Sequence, residues 1–174
     1  MELQTLRLIL REFTLDDFSA VHAYASDEIV TRYTDWGPNT NEDTEEFFRE
    51  ALAAAIAEPR DSYLFAITIN QSPVIGCARL GIISRADRVG DLGYLLNADF
   101  WGQGIATEAT QRLLAFGFGE LSLHRIFATC HPDNIGSSRV LEKAGFQLEG
   151  RLKEDKFVRG AYRDSLLYAI LENS

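Results

Sequence analysis

The sequence predicts a mixed α/β (α+β) fold, with a central, mostly antiparallel sheet of six to seven strands and helices on both of its faces. Three observations carry this expectation. Segments with helical spacing alternate with segments of strand-like alternation along the whole chain. Several strands are joined by tight turns, which argues against a doubly wound parallel sheet. One glycine turn, Gly102-Gln103-Gly104, joins a strand directly to a helix.

In order, residues 5–13 mix alternating apolar and basic side chains and read as the first strand. Thr14 opens a near capping box with Asp17 as its acid, so a helix follows that buries Phe18, Val21 and Ala25. Gly37, Pro38 and several polar residues make 27–41 a loop. Residues 41–57 read as a second helix with acids in its first turn, at the positive end of the helix dipole. Phe47, Ala51 and Ala54 mark one face of it, Phe48, Leu52 and Ile56 the neighbouring face, and Pro59 ends it.

Three antiparallel strands are expected next, over 63–69, 74–83 and 91–96, with turns at 70–73 and 87–90. The helix after the glycine turn spans about 107–120 and buries Ala109, Leu113 and Phe116. A strand over 124–130 and a helix over 134–143 follow, the latter ended by Gly145. Residues 146–158 and 162–171 form a last pair of strands around Gly160.

Composition narrows the function classes. A chain of 174 residues fits a single domain, 1–174, able to bury its own core without staples. A net charge of −9 argues against nucleic acid as the main partner and mildly favours cationic partners such as amines, or serves solubility alone. Cys77 and Cys130 lie in apolar runs and read as buried free thiols, which suits a reducing cytoplasm. No Cys-His spacing suggests zinc, so no metal is expected, and no apolar run is long enough to span a membrane.

The chemistry begins at the glycine turn. Glycines permit positive φ and close backbone approach, so successive N–H groups at a helix start can hold an anion such as a nucleotide diphosphate. Alone, the pattern equally fits a tight strand-to-helix connection, and it meets neither the dinucleotide fingerprint nor the Gly-Lys-Ser/Thr phosphate loop. About thirty residues later comes His131-Pro-Asp-Asn134-Ile-Gly-Ser137, continuing to Phe146.

Together with the run from Asp91 to Ala109, this segment resembles the GNAT superfamily of acetyltransferases, and within it the Rim-type branch that acetylates N-terminal amines of ribosomal proteins, along with small-amine relatives. The resemblance covers nearly the whole chain. It implies a GNAT-like sheet with splayed strands forming a cofactor cleft, acetyl-CoA as co-substrate, a primary amine as acceptor, and a monomer or homodimer.

By the same resemblance, the backbone of Tyr94, Leu95 and Leu96 pairs with the pantetheine arm, and Gly102, Gln103, Gly104, Ile105, Ala106 and Thr107 hold the diphosphate through N–H groups. The family usually has Gln or Arg where Trp101 stands, so here the cradle rests on the backbone. Asn134 hydrogen-bonds the same arm, and equally suits a helix N-cap.

Amine acetylation needs a proton removed from the ammonium and a leaving thiolate that is stabilised. Many relatives use a tyrosine for the thiolate where this chain has Leu141. The Rim-type branch instead offers Ser137, which can also be a first-turn cap. Asp91, on the strand face shared by Gly93 and Leu95, is the candidate base or a salt-bridge partner. The position of a base in some Rim-type enzymes is occupied by Lys156, and Glu149 and Glu154 are weaker candidates. Tyr33 and Trp36 lie in the loop that commonly covers the acceptor site, and either contact substrate or pack locally. The leading expectation is an N-acetyltransferase working by direct attack in a ternary complex on a protein N-terminal amine. The alternatives are a small acceptor (polyamine, aminoglycoside or amino acid) and a non-catalytic acyl-CoA-binding sensor.

Overall fold

The computed structural model describes residues 1–70 and 72–172. Its elements are β1 (Glu2–Gln4), β2 (Leu8–Arg11), α1 (Phe18–Ala25), α2 (Asn41–Ala55), β3 (Ser62–Ile69), β4 (Gly76–Ser84), β5 (Val89–Leu96), α3 (Ile105–Gly119), β6 (Arg125–Cys130), α4 (Ile135–Lys143), β7 (Gln147–Val158) and β8 (Ala161–Leu171). They build one sheet of eight strands in the order β1-β2-β3-β4-β5-β6-β8-β7. Every neighbouring pair is antiparallel except β5 and β6.

The strand count exceeds the expectation because residues 5–13 are not one strand. The Thr5 N–H donates to Leu8 O at 3.0 Å and Leu8 N–H donates to Thr5 Oγ1 at 2.8 Å, closing a turn that makes β1 and β2 a hairpin. A threonine hydroxyl does here what Gly or Pro would have announced in the sequence. The expected turn over 70–73 includes Gln71, which lies outside the described residues. On α2 the buried stripe is Thr44, Phe48 and Ala51. Ile56 falls just past the end of the helix and is exposed.

Alternation divides the core in two. On β3, Phe65 and Ile67 join α3 through Leu113 and Phe116 on one face, while Ala66 joins Phe13, Val21, Tyr24 and Phe48 on the α1/α2 face. Leu113 and Phe116 are fully buried, and each contributes about 1.5–3 kcal/mol. The expected stripe of α3, Ala109, Leu113 and Phe116, is the buried one. No helix among the described residues is long and apolar enough to cross a membrane.

The feature that positions the site is a wedge. β5 and β6 pair only from Val89–Arg125 to Asp91–Phe127. Beyond that point β5 stays with β4 as far as Leu96 and β6 stays with β8 as far as Cys130, so the two diverge. Residues 92–96 therefore have an edge without a β6 partner.

Candidate active site

A cavity of about 1120 Å³ lies at the wedge. Leu64, Cys77, Arg79, Gly93 and Leu95 line it from the sheet, and Asp43, Glu46 and Glu50 line it from α2. Asn134 and Ser137 reach it from the start of α4. A Cβ on Gly93 would meet nothing within 4 Å, so the space above β5 is open at the point where the strands part.

Two residues 43 apart in sequence span the wide end of the wedge. The Tyr94 hydroxyl lies 3.0 Å from Ser137 Oγ and donates or accepts there, and it also lies 3.1 Å from the accepting Ser137 O. Burial pushes the Tyr94 phenol up, so it stays neutral and able to donate across the physiological range. The Ser137 N–H donates to Asn134 Oδ1 at 3.1 Å, which makes Asn134 the N-cap of α4. That cap uses only the oxygen, and among the described residues the amide N–H groups of Asn134, which lines the cavity, have no hydrogen-bond partner.

The glycine turn follows a short 3-10 segment (Ala98–Phe100) at the end of β5. Gly102 and Gly104 have φ of +73° and +77°, the left-handed region that a side chain disfavours. The first helical bond of α3 runs from Glu108 N–H to Gly104 O at 3.0 Å. The N–H groups of Ile105, Ala106 and Thr107 precede it and have no helical acceptor. A Cβ at Gly102 would meet nothing within 4 Å, so the backbone there is open to a ligand. Trp101, the departure from the family pattern, donates its indole N–H to Leu96 O at 2.9 Å and ties the loop to the end of β5. The turn therefore fits a diphosphate held by backbone donors at a helix start.

On the opposite side, Tyr33 stacks on His131 at 5.2 Å between ring centroids, and both line the cavity, as does Trp36. Their loop is held by a residue no local sequence signal marks. Arg159, in the turn between β7 and β8, donates to the carbonyls of Thr31, Thr34, Trp36 and Gly37. Lys156, on β7, donates to Asp35 Oδ2 at 2.7 Å across the same gap. Burial raises the Asp35 carboxyl, but the bond and charge of Lys156 outweigh it and hold it below the usual range.

Residues 7–147 match the acetyltransferase (GNAT) domain family. The chain belongs to the GNAT acetyltransferase family. It is 33% identical over 172 residues to the uncharacterized N-acetyltransferase YnaD of Bacillus subtilis, covering 99% of this chain and 98% of that protein. A GNAT-family acetyltransferase from Bacillus anthracis superposes with a TM-score of 0.88 at 32% identity, each chain covered in full. RimJ of Mycobacterium smegmatis, solved with CoA-disulfide, gives a TM-score of 0.87 at 28% identity, covering 98% of this chain and 87% of that one. The Rim-type resemblance read from the motifs agrees with these relatives.

Within this GNAT domain, the expected face of β5 divides. Gly93 and Leu95 line the cavity, whereas Asp91 sits at the vertex of the wedge and accepts a 2.7 Å bond from Arg79. Arg79 lines the cavity in its place and also donates to Ser62 Oγ at 3.3 Å. Gly81 leaves the room, since a Cβ there would come within 2.3 Å of both partners of the pair. Of the two cysteines, Cys130 is buried and Cys77 is partly exposed in the cavity wall, and both are free. Leu141, which stands where the resemblance places a tyrosine, is packed in the core. The Tyr94 side chain stands next to Ser137 instead. The family resemblance assigns Tyr94 a role through its backbone alone, and the side-chain contact comes from the fold.

Proposed function

We propose that this GNAT domain acts as one unit over residues 1–174, in a reducing cytoplasm, to move the acetyl group of acetyl-CoA onto a primary amine, and that the acceptor is the α-amine of a protein or peptide. The observation that carries the reading is the meeting of two openings. The unpaired edge of β5 beyond Asp91 leads from the glycine cradle to the point where Ser137 and Asn134 border the acceptor cavity.

Acetyl-CoA supplies an activated thioester. The backbone of Tyr94 to Leu96 would pair with its amide-bearing arm as an added strand. The N–H groups from Gly102 to Thr107 would hold the diphosphate, and the free amide of Asn134 would hold the arm. Ser137 would donate to the departing sulfur, backed by the Tyr94 hydroxyl. Desolvation by the packed cavity wall around it pushes the Cys77 thiol up to about 11, and burial raises that of Cys130, so both remain protonated at neutral pH. That disfavours a cysteine acyl-enzyme and supports direct attack by the amine.

The cavity of about 1120 Å³ has to take the acetyl-bearing arm along Tyr94, Leu95 and Asn134 as well as the acceptor, and its lining by Tyr33 and Trp36 offers aromatic faces that support a peptide end. The ribosomal-protein-serine acetyltransferase of Escherichia coli, 34% identical over 104 residues and 60% of this chain, supports the same acceptor class. The acidic wall of Asp43, Glu46 and Glu50 favours a second reading, a small polyamine acceptor. A spermidine N(1)-acetyltransferase of Escherichia coli is 26% identical over 98 residues.

Thiol release from acetyl-CoA, measured with a panel of peptides and small amines, tests both. Peptides with free N-termini should turn over fastest. Faster turnover of polyamines would select the second reading. CoA binding without thiol release from any amine would leave only a sensor.

A further inference from the structure

The turn between β1 and β2 reaches across to the glycine cradle, about a hundred residues away in sequence. Thr5 Oγ1 donates to Glu108 Oε1 at 2.6 Å, and the Arg7 N–H donates to the same oxygen at 3.0 Å. Arg7 Nε and Nη2 both lie 2.6 Å from Glu108 Oε2. The remaining guanidinium nitrogen, Nη1, donates to Gln103 O at 3.2 Å. One side chain thus holds the carboxylate in the first turn of α3 and the carbonyl between the two cradle glycines. Nη2 also lies 3.6 Å from where a Cβ on Gly104 would stand.

The carboxylate matters because of where it is. An acid in the first turn of a helix is favoured by the helix dipole, but here it lies within a turn of the N–H groups that would hold the diphosphate. Left bare, Glu108 would repel a diphosphate and compete for its donors. Burial raises the Glu108 carboxyl, but hydrogen bonds from Thr5 and Arg7 outweigh it and keep the group below the usual glutamate range. It is therefore ionised at neutral pH, and its charge has to be managed rather than removed.

We infer that Arg7, with Thr5, is a positioning residue for the diphosphate cradle: it draws the Glu108 charge away from the helix start and fixes the Gln103 carbonyl so that the N–H groups of 102–107 stay turned toward the ligand. This rests on the acetyl-CoA reading above. The role is not mainly one of stability. Arg7 is about half exposed, and exposed ion pairs add little to folding.

The test compares two ligands that share the pantetheine arm. CoA carries the diphosphate and S-acetylpantetheine does not. Dissociation constants would be measured by calorimetry for CoA and by NMR titration into the millimolar range for S-acetylpantetheine. Arg7→Met should weaken CoA about tenfold and S-acetylpantetheine less than twofold. Adding Glu108→Gln to Arg7→Met should recover roughly a third to a half of the lost factor on a logarithmic scale, because the bare charge is gone while the Gln103 carbonyl stays loose. Arg7→Lys keeps a charge but cannot bridge carbonyl and carboxylate together, so a loss of about threefold is expected, and this variant also serves if Arg7→Met folds poorly. Equal weakening of both ligands, or unchanged CoA affinity in a folded variant, would overturn the inference. Failure of the wild-type protein to bind CoA would instead overturn the acetyl-CoA reading.

Discussion

The Tyr94 hydroxyl sits 3.0 Å from Ser137 Oγ and 3.1 Å from Ser137 O, so one phenol faces both the hydroxyl and the carbonyl oxygen of the same residue. The carbonyl can only accept, and the phenol has a single proton. When that proton goes to Oγ, the serine O–H is free to turn into the cavity. When it goes to the carbonyl, the serine donates back to the phenol. Either way the serine is held at the mouth of the wedge, and the two arrangements differ only in how the two hydroxyl protons are turned. A lone serine would be a weak donor to a leaving thiolate, and a neutral phenol behind it makes the donation easier.

Tyr94→Phe is therefore expected to lower kcat about tenfold while changing CoA affinity less than twofold, and Ser137→Ala to lower it further. In the double variant the losses should not add, because both act on one proton path. Steady-state rates for the four proteins check this. Additive losses, or an unchanged kcat in either single variant, would reduce Ser137 to a first-turn residue of α4.

Gly104 has φ +77° and is the N-cap of α3. Valine is among the least tolerant side chains of a positive φ. Gly104→Val should cost about 1–2 kcal/mol of stability and weaken CoA at least tenfold as the turn reshapes to escape strain. Thermal unfolding and CoA titration of the same sample separate the two effects. A folded variant with wild-type CoA affinity would remove the turn from the binding site.

How much of this was legible depends on how local each signal is. The glycine turn, the Asn134 cap and the Leu113–Phe116 stripe are written within a few residues, and the structure has them where periodicity and capping put them. The β1–β2 hairpin carries no such local signal, because its turn is made by a threonine hydroxyl, with no Gly or Pro. Arg159 was invisible for another reason. Its four acceptors lie more than 120 residues away, and nothing in a hairpin turn says which distant loop it will hold. The Tyr94–Ser137 contact has the same character: both residues could be named from motifs, but only the folded wedge brings the side chains together.

Asp17 offers a pH test of the α1 face. Its carboxylate is buried, accepts 2.7 and 2.8 Å bonds from Arg11 and accepts from the Thr14 N–H at 2.9 Å. Burial raises this carboxyl, but the Arg11 and Thr14 bonds outweigh it, leaving a net lowering. A carboxyl lowered on folding stabilises above its unfolded value of about 3.9, and that contribution fades as pH falls through the folded value. Asp17→Asn should cost about 1–3 kcal/mol at pH 7, and the gap from wild type should close below about pH 4. Urea unfolding at both pH values reads this. A gap that widened on acidification would contradict the sign.

The carboxylate at the vertex of the wedge separates two roles. Asp91 accepts from Arg79 at 2.7 Å, and its other oxygen is buried with no hydrogen-bond partner among the described residues. If its work is to hold Arg79 in the cavity wall, Asp91→Asn frees the guanidinium. The acceptor KM should then rise about threefold to tenfold, with kcat keeping its acidic limb, since no proton-accepting group has been lost. If Asp91 instead takes the amine proton, the same variant should lose that limb along with about a hundredfold or more of kcat. The ion pair favours the first outcome. Arg79→Met is the partner measurement: it should raise KM to the same degree as Asp91→Asn, and the double variant should be no worse than either, because each removes one half of a single wall.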